Sequence, residues 1–212
     1  MCYSKSLSLK SFLFGIISSL YLYNNSSFNE NKTIAMFFSF VSLMQLVEYF
    51  LWSDLKCTGI NQTTSKIGIL LNHFQPVVLL IISLFYLESN KSLDFNIIIL
   101  INIIYSIYVI YVYKRFLDEK NFCVKPNKKG HLDWTWKHNF NYNFYHLLIF
   151  LNLYNYYNYS KLTMSIILSY VLFFISLTKF KDNIGEFWCL MVTGIPFLFN
   201  LDFRNPMNSS ST

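Results

Sequence analysis

Charge is what this chain lacks first. Of its 212 residues only 13% are Asp, Glu, Lys or Arg, while 54% are hydrophobic and 20% aromatic. A soluble domain carries about 25% charged residues, so an ordinary one-domain soluble enzyme is excluded. Alanine occurs once, at Ala35, against 22 isoleucines and 21 asparagines. Residues with AT-rich codons dominate, so part of the composition belongs to the genome, and motifs made only of Ile, Asn, Lys, Tyr or Phe carry little weight. The sequence contains no phosphate-binding glycine loop, no His-Glu-x-x-His and no Gly-x-Ser-x-Gly, which removes the commonest nucleotide, zinc-protease and serine-hydrolase signatures. No internal repeat, Gly-rich linker or second domain is visible.

What the chain has is long apolar runs. A spanning helix needs about 20 mostly apolar residues, and seven segments approach that: Leu9 to Tyr23, Ile34 to Trp52, Ile67 to Leu87, Asn96 to Tyr113, Phe144 to Tyr156, Leu162 to Phe180, and Phe187 to Leu201. The fifth is diluted by Asn152, Asn155 and tyrosines. Runs of this length without period-2 alternation favour helices over a barrel. The expected fold class is all-α: one polytopic transmembrane bundle of seven spans over residues 1–212. The seventh run holds no lysine, so a retinal Schiff base is excluded.

The positive-inside rule tests the span count independently. With seven spans, the segments on the side of the N-terminus hold 13 of the 17 Lys and Arg residues, and the opposite side holds Lys32, Lys91, Lys161 and Arg204. One missed span would swap every later loop, so this bias supports seven spans, a cytosolic N-terminus and an outer or lumenal C-terminus. Lys5 and Lys10 before the first run resemble a signal peptide, but no small-residue cleavage site follows, and the run reads as a span. The net charge of +6 is accounted for by this topology and gives no argument for nucleic acid. Cys2, Cys57, Cys123 and Cys189 all fall on the inner side, where thiols stay reduced; no structural disulfide is expected. Glycosylation sequons begin at Asn24, Asn25, Asn31, Asn90, Asn158 and Asn208 outside and at Asn61 inside, a pattern that an Asn-rich chain also makes by chance.

The longest connection, residues 114–143, carries seven of the inner basic residues and the stretch Gly130-His131-Leu132-Asp133-Trp134-Thr135-Trp136-Lys137-His138. Indoles mixed with cations suit the headgroup region, so this reads as a cytosolic basic and aromatic interfacial loop facing anionic lipid headgroups. Cys123, His131 and His138 match no compact zinc spacing.

Polar residues inside the runs are expensive in hydrocarbon unless they face a partner or a wet cavity. Glu48 is the one carboxylate well inside a span, and Gln45 and Trp52 share its helical face. In the third run Asn72, His73 and Gln75 cluster before Pro76, whose missing N–H frees the Asn72 carbonyl. The fifth run opens with Tyr145 and His146, the seventh with Glu186, Trp188 and Cys189. By helical rise Glu48 lies about 6 Å, His73 about 9 Å, Gln45 about 10 Å and Gln75 about 12 Å from the inner ends of their runs. A common pocket at that depth, open to the cytosol, is expected from Gln45, Glu48, His73 and Cys189, with Trp52, Asn72, Gln75, His146, Glu186 and Trp188 around it.

The chain resembles a family of small polytopic membrane proteins of bacteria and large DNA viruses. The resemblance rests on the opening Met1-Cys2-Tyr3-Ser4 with Ser8, on Gln45, Glu48 and Trp52 matching Gln-x-x-Glu-Gly-x-x-Trp in span two, with Tyr49 in place of glycine, and on Trp188-Cys189 in the last span. It implies a multi-pass membrane protein but no activity, since that family has none assigned; the AT-rich composition suits a giant-virus member. From the residues, three chemistries stay open: a binding or transport pocket for a small polar solute or ion, with Glu48 and His73 relaying protons; an intramembrane lipid enzyme with the same pair as base and acid; and a soft-metal site on Cys2, His73 and Cys189. The fourth reading is structural, with Gln45 and Glu48 locking the bundle through Asn72 or Gln75.

Overall fold

A computed structural model describes residues 4–88, 95–119, 122–128, 130–136, 141–179 and 184–202, the side chains of residues 186 and 202 excepted. The described chain is almost entirely helical. Helix α1 (Lys5–Asn25) begins where the Ser4 hydroxyl accepts from the Leu7 N–H and presents a stripe of small residues, Ser8, Gly15, Ser18 and Ser19, to the interior. Small residues let helix backbones approach closely in lipid; a Cβ on Gly15 would strike Ser42 and Thr193. Helix α2 (Asn29–Ser53) is the central element, buried along most of its length and packed against α1 and, later in the chain, five further helices.

Helices α3 (Ile60–His73) and α4 (Gln75–Tyr86) are one apolar stretch bent by 55° at Phe74. Pro76 supplies the reason, because it lacks the N–H that a continuous helix would use. Helix α5 (Phe95–Asp118) follows. Two short strands, β1 (Lys125–Pro126) and β2 (Leu132–Asp133), then form an antiparallel hairpin. Its turn closes through Asn127 N–H to the His131 carbonyl at 2.7 Å and needs Gly130 in the left-handed region at φ +78°. Helices α6 (Tyr142–Tyr154), α7 (Ser160–Lys179), α8 (Ile184–Val192) and α9 (Ile195–Asp202) complete the bundle.

Side-chain contacts gather the helix ends and connecting segments at two ends of the bundle. At one end Lys5 lies over the Tyr49 ring, Asn61 meets Val124, and Phe116 meets Phe122. At the other, Tyr23 bonds Tyr86, Glu30 accepts from the Lys161 N–H, and the Tyr159 hydroxyl accepts from Glu88 N–H. Four helices, α1, α2, α5 and α7, are long and apolar enough to cross a membrane, and the bent α3–α4 pair adds a fifth when counted as one span. The outward faces are apolar: Leu13 and Ile17 on α1, Ile103 and Ile107 on α5, Ile167 and Phe174 on α7 are about half exposed or more. Such a surface suits lipid, as an integral membrane protein requires.

Two expectations need correction. Cys57 and Cys123 are joined in a disulfide, with Cα atoms 5.7 Å apart. Reasoning from the side of the membrane concerned the compartment and not geometry, and the fold brings the α2–α3 turn against the start of the hairpin segment. The third apolar run also becomes helical at Ile60, seven residues before Ile67, because one face of its polar first turns, Asn61, Thr64 and Ser65, is buried against other protein. Asn61 shows how: its side chain donates to the Leu51 carbonyl at 3.1 Å and the Val124 carbonyl at 2.9 Å, and accepts from Val124 N–H at 2.8 Å. Asn61 is fully buried, so its sequon is sterically closed.

Candidate functional site

The end of the bundle that bears Asn61 is filled by the segment between α5 and α6. Val124, Leu132, Trp134 and Trp136 are buried in one apolar cluster with Met44, Val47 and Leu51 of α2, Ile69 of α3, Phe116 of α5 and Cys189 of α8. Trp136 and Trp134 stack with ring centroids 5.2 Å apart. Two glycines make room for them. A Cβ on Gly68 would come within 2.9 Å of Trp136 and 3.0 Å of Val47, and one on Gly185 within 2.7 Å of Trp134. The stretch is therefore a plug of buried indoles, and the exposed lysines Lys125 and Lys128 lie on its outer hairpin.

Beneath the plug the polar residues descend in order. Gly68 sits opposite Val47 on antiparallel helices. By helical rise Gln45 is then about 3 Å deeper than Val47, and His73 about 9 Å deeper than Glu48. Glu48 accepts from the Gln45 amide at 3.1 Å. Met44 and Leu51, which flank Glu48 on its helix face, share a cluster with Ile69 and Cys189, so α2, α3 and α8 meet around it. His73 Nδ1 lies 2.6 Å from the Ile69 carbonyl; a carbonyl only accepts, so Nδ1 carries the proton. The His73 ring faces Tyr142 at 5.9 Å. Tyr142 is within reach of the Asn72 side chain, and Cys189 lies close enough to act electrostatically on both Tyr142 and Tyr145.

Deeper still, the Tyr145 hydroxyl donates to Gln75 at 2.5 Å, and Tyr105 donates to the His73 carbonyl at 2.8 Å. Asn102 and Asn152 then exchange two amide bonds of 2.8 and 3.2 Å, while the Asn152 amide also donates to the Pro76 carbonyl at 2.8 Å. The carbonyls at the helix break that find side-chain donors are thus those of His73 and Pro76. A narrow cavity of about 20 Å³, room for about one water, adjoins this column and is lined by Phe38, Val41, Tyr145, Ser169, Tyr170 and Trp188, among others.

Gln45, Glu48, Asn72, His73, Gln75 and Cys189 are all buried, each at most 6% exposed. They lie under the plug and not at an open mouth. Trp52 packs at the edge of the plug cluster. Trp188 donates to the Ser169 carbonyl at 2.9 Å, and His146 pairs with Tyr170 at 3.0 Å, both beside the cavity. The side chain of Glu186, along with Cys2 and His138, lies outside the described residues. Among the described residues no three His, Cys, Asp or Glu side chains gather to hold a metal, and Cys123 is committed to the disulfide. Sequence reasoning did not single out Tyr105, Tyr142 or Asn102 as site residues. Asn102 is a polar residue inside a secure apolar run and could have been found by the cost argument used for Glu48, whereas tyrosines do not stand out in a chain with 16 of them.

Outside the membrane-crossing stretches, Asp54 organises the turn between α2 and α3. Its carboxylate accepts from Thr58 N–H and hydroxyl, both at 2.9 Å, and from the N–H groups of Gly59 and Asn61 at 3.1 Å. The Thr58 and Asn61 N–H groups lead in holding its carboxyl down to about 2.

No protein-family model, curated protein or solved structure matches this chain.

Proposed function

We propose that this chain is a seven-span integral membrane protein that binds a small polar solute or ion in the buried column and moves it across the bilayer. The plugged end and the N-terminus face the cytosol in this reading, because 13 of 17 Lys and Arg residues lie on that side. Exposed Lys56, Lys125 and Lys128 then meet anionic headgroups.

One contrast carries the functional reading. In the Asn102–Asn152 pair the two amides satisfy each other, as a structural lock should. In the column above it, Gln45 Oε1 and Gln75 Nε2 are buried without a hydrogen-bond partner among the described residues. A buried orphan atom is costly and calls for an explanation, and a polar guest in the column would partner both. Helix ends support the same place. α3 stops at His73, α4 restarts at Gln75, and α6 begins beside His73 at Tyr142. At 13 residues α6 is only about 20 Å long, shorter than a full crossing of the hydrocarbon core. Discontinuous helices whose ends meet inside the membrane are where transporters place polar cargo.

A purely structural role is favoured by the Gln45–Glu48 bond and by the interhelical Tyr145–Gln75 and Asn102–Asn152 bonds. Thermal unfolding of the detergent-solubilised protein across sodium, potassium and pH series separates the two. A bound ion at 100 times its Kd adds about 2.7 kcal/mol to the native state. The wild type should gain stability with one of these ions, and Glu48→Gln should not. Identical responses of both proteins to every ion would favour the lock.

A further inference from the structure

We infer that Cys57–Cys123 is a reversible redox modification site that latches the tryptophan plug over the polar column. The inference rests on the cytosolic orientation proposed above. A disulfide on the cytosolic side is made and unmade, because thiol systems there keep ordinary cysteines reduced.

The location fits a latch. Cys57 sits in the turn that Asp54 organises, and Cys123 immediately precedes Val124, the first buried residue of the plug. Both cysteines are partly exposed, so a soluble reagent reaches the bond while the column stays covered. Cys57 is also the one non-glycine residue at positive φ, +58°, among the described residues, a conformation that costs energy for a residue with a Cβ. The bridge joins positions 66 residues apart and ties the plug to the α2–α3 turn, where Asn61 already grips Val124 from both sides. Without the bridge the plug keeps Asn61 and its two indoles as anchors. It can then seat and unseat; with the bridge it stays seated.

The chemistry is thiol–disulfide exchange with a soluble dithiol protein or small dithiol as reductant. One thiolate of the dithiol attacks a sulfur of the bridge, breaking the Cys57–Cys123 bond and forming a mixed disulfide. Its second thiol resolves that intermediate and leaves as the oxidised partner, so two electrons and two protons end on Cys57 and Cys123. Re-oxidation by a disulfide of higher potential reverses each step.

Cys189 reports on the latch without any engineering. It is fully buried in the same cluster as Val124, Trp134 and Trp136, so a seated plug protects it. The experiment uses the full chain in sealed membrane vesicles. Accessible thiols are first capped with N-ethylmaleimide, and the vesicles are then held with or without dithiothreitol. A second, isotope-labelled maleimide follows, and labelling is read peptide by peptide so that Cys2 is scored separately. Reduction should speed Cys189 labelling about tenfold, the factor that corresponds to about 1.4 kcal/mol of lost restraint. Removing the reductant and adding oxidised glutathione should restore protection. Cys57→Ser should label at the reduced rate whatever the redox state. Equal Cys189 labelling in oxidised and reduced wild type would overturn the latch. So would a bridge that stays fully oxidised in growing cells and yields only to reagent on the outer face. The reading does not depend on flux, so a silent transport assay with redox-switched Cys189 labelling would reject the column's cargo and keep the latch.

Discussion

Replacing Gly68 with alanine puts a methyl group where the bundle has no space. On one side it would meet the Trp136 ring at 2.9 Å, on the other the Val47 methyl at 3.0 Å. Neither neighbour can retreat freely. Trp136 is fully buried between Phe116, Trp134 and α3, and Val47 is fixed in the central helix. Overpacking of a filled core costs about 1–3 kcal/mol. Alanine in place of glycine inside a helix otherwise gains about 1 kcal/mol, so the net expectation is a loss of about 1 kcal/mol, and about 3 kcal/mol for Gly68→Val, whose β-branch adds bulk on both sides. The assay is thermal or denaturant unfolding in detergent, read with indole fluorescence so that the Trp136 environment is followed directly. Trp136→Ala removes the ring, and in that background the added methyl should cost less than in the wild type, giving a coupling energy that a double-mutant cycle measures. If Gly68→Ala raises stability by the usual helix gain, the plug does not pack against α3 and the description of the site is wrong.

Other expectations follow from single contacts. The Asp54 carboxyl is held at about 2, below the unfolded value of about 3.9. Its contribution is therefore fully present above about pH 4 and fades as pH falls toward 2; acid titration of unfolding should show a step there that Asp54→Asn lacks. Asn102→Ala and Asn152→Ala should each destabilise the bundle, with a coupling of about 0.6 kcal/mol and at most about 1.7 kcal/mol, and a double-mutant cycle giving additive losses would reject the amide pair. Tyr145→Phe leaves a second polar atom of the buried Gln75 unpartnered and should cost about 1–3 kcal/mol, read by the same unfolding assay.

Much of the scaffold was legible from run length alone. The first, second, fourth and sixth runs became α1, α2, α5 and α7, since about 20 apolar residues leave a helix little alternative. Gln45 and Glu48 could be placed on one face because helical periodicity is fixed, and the structure joins them by a hydrogen bond. The plug was not legible. Trp134 and Trp136 among lysines describe a headgroup loop and a buried wedge equally well, and only Gly68 and Gly185, which clear space for them, distinguish the two. His73 proved deeper than expected because α3 begins at Ile60, its polar first turn satisfied by Val124 and Asp54, which are remote or outside the run. The disulfide was missed because an inner, reducing side argues against one, and with the two cysteines 66 residues apart no local pattern pairs them against that argument.

The central claim is that Glu48 belongs to a path for a polar guest. The direct measurement is flux through wild type and Glu48→Gln reconstituted side by side in sealed proteoliposomes. Protons would be followed with a trapped pH dye, sodium and rubidium with isotopes, under dithiothreitol so that the plug is unlatched. Glutamine keeps the size of the side chain and can still bond Gln45, so the variant should unfold at the wild-type temperature or above it. The expected result is flux of one of these ions through the wild type above protein-free vesicles and its loss in Glu48→Gln. Equal flux in both proteins, or none in either while Glu48→Gln lowers stability, would contradict the account and leave Glu48 as a brace of the bundle.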